Sequence, residues 1–193
     1  MKYQKTIEKE PSYLEVGTTR LKDTGKRTVF ETGSHKEIVE GRGRYDLIPL
    51  EALGNLYARN NTKLDHMVSR VLFSFHRALI AESAPQKIKH LYKALLEFIN
   101  YTKEASTPKN LFFYTQELSK LYEAGAVKYA ARDWEKGRPM EVFINSALRH
   151  LFQFLYNERD EPHDVAFIWN TLSLIDTLRR LPSTAYTLKE IKE

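Results

Sequence analysis

The sequence predicts an all-α protein, an antiparallel bundle of about six helices behind an extended, partly mobile N-terminal arm. Three observations predict it. Apolar residues recur at helical spacing from Pro49 onward, and strand-like alternation is nearly absent after residue 46. Residues 1–46 lack that spacing and carry Gly17, Gly25, Gly33, Gly41 and Gly43 among Thr and Ser.

Each helix has its own signal. Pro49 suits a first helical turn, with Leu50, Leu53 and Leu56 on one face. Leu64 to Ala81 places Met67, Val71, Phe75 and Leu79 one turn apart, and Ala84 to Thr102 does the same with Ile88, Leu91, Leu95 and Phe98. Pro108 reopens a helix through Leu111, Tyr114, Leu118, Leu121 and Tyr122. Gly137-Arg138-Pro139 breaks the chain before a helix that turns Phe143, Ala147, Leu151 and Phe154 or Leu155 inward. Pro162 starts the last helix, with Val165, Trp169, Leu172 and Ile175 inward. The expected organisation is an arm at 1–46, a helical domain at 47–181 and a tail at 182–193.

Composition narrows the function. A chain of 193 residues, 42% hydrophobic and 28% charged, is long enough for one domain with a sizeable core. No apolar run approaches the roughly 18 residues of a membrane span, and the polar start MKYQKTIEKEPSYLE is no signal peptide. The absence of cysteine excludes disulfides and thiolate metal sites and suits a reducing cytoplasm. A net charge of +5 and a pI near 9.2 permit anionic partners. The basic excess is dispersed, which fits a nucleotide better than a stable nucleic-acid complex.

The densest chemistry lies in Asn157-Glu158-Arg159-Asp160-Glu161-Pro162-His163-Asp164, where four carboxylates flank a histidine. Mg²⁺ and Mn²⁺ favour such oxygens, and on a helix Asp160/Asp164 and Glu158/Glu161 stand one turn apart. The plainer alternative is an acidic helix start before Pro162. Upstream, Lys128, Arg132 and Lys136 recur every four residues, so a helix continuing past Arg132 would align them as a phosphate clamp, with Tyr129 and Trp134 as stacking groups. A solvated helix face and a core tryptophan are the plain alternatives there. Ser146, His150, Gln153 and Asn157 form a polar stripe, and His163 and Asn170 share a face of the next helix. Two antiparallel helices can therefore bring His150, Glu158, Glu161, Asp164 and Asn170 to one cleft.

Several blocks carry a resemblance: Phe30-Glu31-Thr32-Gly33-Ser34, Gly41-Arg42-Gly43-Arg44-Tyr45-Asp46-Leu47-Ile48-Pro49, Gly125 through Gly137, Ser146-Ala147-Leu148-Arg149-His150, and Asp160 through Asn170. In this order, from about residue 29 to about 180, the chain resembles the phage-encoded dATP/dGTP diphosphohydrolase-like family, MazZ-like and distantly related to MazG. The resemblance implies an all-α pyrophosphohydrolase that uses carboxylate-held Mg²⁺ or Mn²⁺ to split a deoxypurine triphosphate into monophosphate and pyrophosphate. Three features depart from the family pattern. The doubled EExxE helix is missing, Asp133 stands where Asn is common, and an insertion fills about 60–108.

Phosphoanhydride hydrolysis needs charge neutralisation and an aligned water, which carboxylate-held Mg²⁺ with Lys and Arg donors can supply. Glu158, Glu161 and Asp164 are therefore expected as metal ligands, and Asp160, Glu161 and His150 as catalytic groups. Lys128, Arg132, Lys136 and Arg44 are expected on phosphates and Tyr129 or Trp134 on the base, with Arg149, His163 and Asn170 completing the substrate set. The expected partner is a purine deoxynucleotide. The resemblance also implies a homo-oligomer, in which the arm residues Arg42, Arg44, Tyr45 and Asp46 help close the site. Two rivals are a nucleotide-sequestering protein without turnover and a helical interaction module.

Overall fold

A computed structural model describes residues 5–8, 10–16, 19–38, 41, 43–104 and 109–183. Gly17, Arg42, Pro108 and the tail beyond 183 lie outside the described residues. The fold is all-α, with six α-helices among the described residues: α1 (Leu50–Arg59), α2 (Lys63–Ile80), α3 (Ala84–Lys103), α4 (Leu111–Tyr129), α5 (Met140–Leu155) and α6 (His163–Arg180).

The arm is extended, as its glycines and lack of helical period predict, and it is paired into two small sheets. Strands β1 (Lys5–Ile7), β4 (Arg27–Val29) and β5 (His35–Glu37) form one antiparallel sheet in the order β1-β4-β5, and β2 (Ser12–Val16) pairs with β3 (Thr19–Asp23). Val29 faces His35 across a tight turn in which the Gly33 amide bonds Phe30 O at 2.8 Å. Gly33 holds φ +77°, a conformation that glycine adopts without the Cβ clash of other residues. The three-residue strands β1, β4 and β5 are too short to show a period of two, so their sheet left no pattern in the sequence.

The Cα trace divides into two compact units, Leu47–Gln116 and the remainder. In the first, Thr62 Oγ1 caps α2 by accepting from the Asp65 amide, and Ser83 opens α3 with Gln86 bonding back to its own amide. Met67, Val71, Phe75, Leu91, Leu95 and Phe98 fill its core. On α1 the buried residues are Leu50 and Gly54, whereas Leu56 is 64% exposed, which corrects the expected apolar face. A Cβ on Gly54 would stand 3.4 Å from the Phe73 ring, so α1 reaches α2 through a glycine where leucine spacing suggested otherwise.

In the second unit every residue of α5 from Phe143 to Leu151 is buried. Ser146 and His150 of its polar stripe are therefore as enclosed as Leu148, while Gln153 is half-buried and Asn157 exposed. On α6, buried Thr171, Thr177 and Asn170 donate to the carbonyls of Phe167, Ser173 and Ala166 one turn back. Such back-bonding allows hydroxyls and an amide inside a helical core. Among the described residues no helix is long and apolar enough to cross a membrane.

Candidate active site

The turn that follows α4 shapes a cavity. α4 stops at Tyr129 because Ala130 (φ 140°) and Arg132 (φ 61°) leave the helical region, and a short 3₁₀ turn, Asp133–Lys136, follows. This corrects the reading of one helix running past Arg132. The end of α4, the turn and α6 border a cavity of about 400 Å³ whose walls include Tyr122, Gly125, Ala126, Tyr129, Arg132, Trp134, Arg138 and Trp169. Tyr122 lies between the two indoles, 5.5 Å from Trp134 and 5.9 Å from Trp169 between ring centroids. Small residues on α4 opposite aromatic faces make a slot suited to a flat heterocycle.

The cations expected on phosphates are placed differently by the fold. Lys128 is enclosed and donates to Glu37 of β5 at 3.1 Å, while the Thr24 amide donates to the same Glu37 oxygen at 2.7 Å. Burial raises the Glu37 pKa, but Lys128 and the Thr24 amide outweigh it, and the net value falls below the ordinary carboxylate range. Lys136 donates to Gly33 O at 3.2 Å and to Asp133 at 3.1 Å. Arg132 lies exposed along Glu135, and Arg44 along Asp46. The three basic residues of the 128–136 row thus point to three different partners.

Asp133 is a structural hub. Its carboxylate accepts from the His35 amide and ring, each at 2.8 Å, and from Lys136, with the Arg138 guanidinium 3.6 Å away. Burial pushes its pKa up, yet the His35 bonds, Lys136 and Arg138 prevail and hold it below the usual value. Its negative charge is therefore neutralised inside the fold. Arg138 is itself fully enclosed, donates to Ser34 Oγ at 3.1 Å, and is lowered from the usual arginine value by burial.

The α5–α6 junction brings the acidic stretch to two histidines. α5 ends at Leu155, and Asn157 at φ 63° turns the chain so that Glu158, Asp160 and Glu161 sit in the connecting loop. The pairs expected one helical turn apart are thus loop neighbours, and only Asp164 lies in the first turn of α6. Four groups run in series: Arg149 Nη2 to His150 Nε2 at 3.0 Å, His150 Nδ1 to His163 Nδ1 at 3.0 Å, and His163 Nε2 to Asp160 Oδ1 at 2.8 Å. Arginine only donates, so His150 Nε2 accepts and the ring proton sits on Nδ1. That proton goes to His163 Nδ1, which leaves His163 to donate from Nε2 to Asp160. Arginine at one end and carboxylate at the other thus fix both tautomers.

Glu158 also approaches His163 Nε2, at 3.9 Å, and accepts from Gln153, which in turn accepts from Arg149. Two groups present ligand atoms within 4.8 Å of one another: Glu158, Asp160 and His163, and His150, Glu161 and His163. Asp164, buried at the start of α6, belongs to neither group. Neither do Glu117, bound to Lys120 at 2.6 Å, and Glu123, on the cavity wall. Asn170 is buried with its Oδ1 unbonded, and Trp169 has a buried, unbonded Nε1.

The structure therefore gathers His150, His163, Glu158, Asp160, Glu161 and Arg149 at the junction and Tyr129, Arg132 and Trp134 at the cavity, while Arg44 remains on a surface ion pair. Sequence reasoning missed Tyr122 as a cavity wall, and it missed Lys36, Glu37 and Arg138. The one available signal was the Phe30-Glu31-Thr32-Gly33-Ser34 block, which immediately precedes His35-Lys36-Glu37. Comparison with curated proteins and with solved structures gave no match. Residues 110–185 match the family model described as dATP/dGTP diphosphohydrolase, N-terminal; the blocks between residues 30 and 49 lie outside that match. Cavity walls, histidine pair and acidic loop all fall inside this matched segment.

Proposed function

We propose that this protein hydrolyses deoxypurine nucleoside triphosphates, dATP or dGTP, to the monophosphate and pyrophosphate. The observation that carries the reading is the pairing, within the family-matched segment, of a purine-sized aromatic cavity with a carboxylate group set on a buried histidine pair. The base would lie among Tyr122, Trp134 and Trp169, and the phosphates would run toward the junction. Water would attack the α-phosphorus, the bond to the bridging oxygen would break, and pyrophosphate would leave.

The donor set fits a hard divalent cation. Glu158 and Asp160 converge on the same imidazole edge, an arrangement of like charges that a cation relieves. His163 donates to Asp160 and leaves its second oxygen to coordinate, so the histidines orient the ligands. Mg²⁺ or Mn²⁺ held by Glu158 and Asp160, with Glu161 beside them, would supply charge neutralisation and an activated water. Arg149, bonded to His150 and Gln153, holds both the relay and, through Gln153, Glu158.

A nucleotide-binding protein without turnover is the second reading. It is favoured by the placement of Glu117 and Glu123, which leaves α4 without carboxylates at the junction. Pyrophosphate release from dATP and dGTP, with Mg²⁺ and with excess chelator, decides between them. The proposal expects Mg²⁺-dependent release that Asp160→Asn removes. Nucleotide binding with no release in any divalent cation would establish the second reading instead.

A further inference from the structure

β5 is pinned on both sides of its middle residue. His35 bonds Asp133 through amide and ring, and Glu37 bonds Lys128 and the Thr24 amide. Lys36 stands between these anchors, and strand alternation sends its side chain to the other face. There it reaches α6, with Nζ 5.8 Å from the centre of the Trp169 ring.

The surroundings of this ammonium are one-sided. The charged groups acting on it are Arg138 before α5, Arg149 on α5 and Lys128 on α4, opposed by Glu37 of its own strand, which Lys128 already engages. Among the described residues no carboxylate forms an ion pair with Lys36. Loss of hydration and then the field of Arg138 and Arg149 drive its pKa well below that of a free lysine. Such an arrangement lacks an anion, and a bound anion would restore the charged lysine.

The location indicates which anion. Trp169, over whose ring the Lys36 ammonium stands, lines the aromatic cavity together with Arg138, so Lys36 lies beside the proposed base site, and Arg149, whose charge also acts on it, bonds the histidine pair. We propose that Lys36, in the field of Arg138 and Arg149, binds the polyphosphate of the nucleotide, in place of the Lys128, Arg132 and Lys136 row. The proposal rests on the nucleotide reading above and gives it a phosphate contact from outside the family-matched segment.

The test is calorimetric titration of the full chain with inorganic tripolyphosphate and with deoxyguanosine, each in two buffers of different ionisation heat near neutral pH. Lys36→Gln should weaken tripolyphosphate binding at least tenfold and leave deoxyguanosine within twofold. The parent should take up a proton on binding tripolyphosphate, and Lys36→Gln should not. Lys36→Arg should recover most of the affinity without proton uptake, which a merely structural lysine would not produce. Circular dichroism of both variants checks that they fold. Unchanged tripolyphosphate affinity in a folded Lys36→Gln overturns the proposal; if the parent still releases pyrophosphate from dGTP, the nucleotide reading survives. A parent that binds neither tripolyphosphate nor dGTP overturns both.

Discussion

The 128–138 segment and the α5–α6 junction were equally rich in charge as sequence, and the fold uses their charges in opposite ways. In the first, Lys128, Lys136 and Arg138 are tied to Glu37, Gly33, Ser34 and Asp133, so cations that looked available hold residues 33–37 of the arm against the end of α4 and the turn after it. In the second, carboxylates that could have been a plain helix start converge on a buried imidazole. A charge row becomes a binding site when its neighbours leave it unsatisfied, and partners distant in sequence decide that. Lys36, whose sequence context gave it no prominence, is the cation left among like charges.

The contrast can be broken by substitution. The largest effect is expected at the junction: Asp160→Asn should lower Mg²⁺-dependent pyrophosphate release by about 100-fold or more, with a melting temperature close to the parent's, because the exposed carboxylate serves the ligand site and not the core. A release rate within a few-fold of the parent would remove the junction from the site.

The hub should respond in stability. Asp133→Asn leaves Arg138 buried without its counter-charge and should cost on the order of 3 kcal/mol by urea unfolding at neutral pH. The pH dependence has a definite sign. The folded pKa of Asp133 is depressed, so its contribution is present above the unfolded carboxylate value and is lost as pH falls through the lower folded one. Parent and variant should therefore converge in strong acid; a constant gap across the acid range would assign the loss to packing.

Lys36 should move stability the other way. A lysine whose folded pKa lies below its unfolded value disfavours folding at any pH below the unfolded value, most fully below the folded one, so ligand-free stability rises with pH between the two. Lys36→Met should then raise the ligand-free melting temperature at neutral pH by a few degrees. A lower melting temperature would mean that Lys36 holds the fold together. The smallest effect is expected at Arg44, exposed along Asp46 and away from the cavity walls: Arg44→Ala should change nucleotide affinity less than about twofold and stability by less than about 1 kcal/mol.

Much of this was legible in the sequence. The 3.6-residue period exposed α2, α3, α5 and α6, because each buries a continuous stripe. The same period placed His150 and Asn170 toward one cleft between adjacent helices; the structure joins His150 at 3.0 Å to His163, which the period had put on the face of Asn170. What stayed hidden was non-local or purely conformational. Lys128 and Glu37 are 91 residues apart in sequence, and no spacing rule links a helix end to a three-residue strand. The end of α4 depends on positive φ at Ala130 and Arg132, residues whose side chains give no sign of it. Leu56 followed the apolar period yet stands exposed, since Gly54 makes the close contact.

The account's central claim is that one nucleotide spans the cavity and the junction. A crystal of the full chain grown with Mn²⁺ and a non-hydrolysable dGTP analogue, with data collected for manganese anomalous scattering, tests it most directly. The account predicts a manganese peak within coordinating distance of Glu158 and Asp160, the purine among Tyr122, Trp134 and Trp169, and a phosphate oxygen against Lys36 Nζ. A manganese peak away from the junction, or an analogue bound outside the cavity, would contradict it.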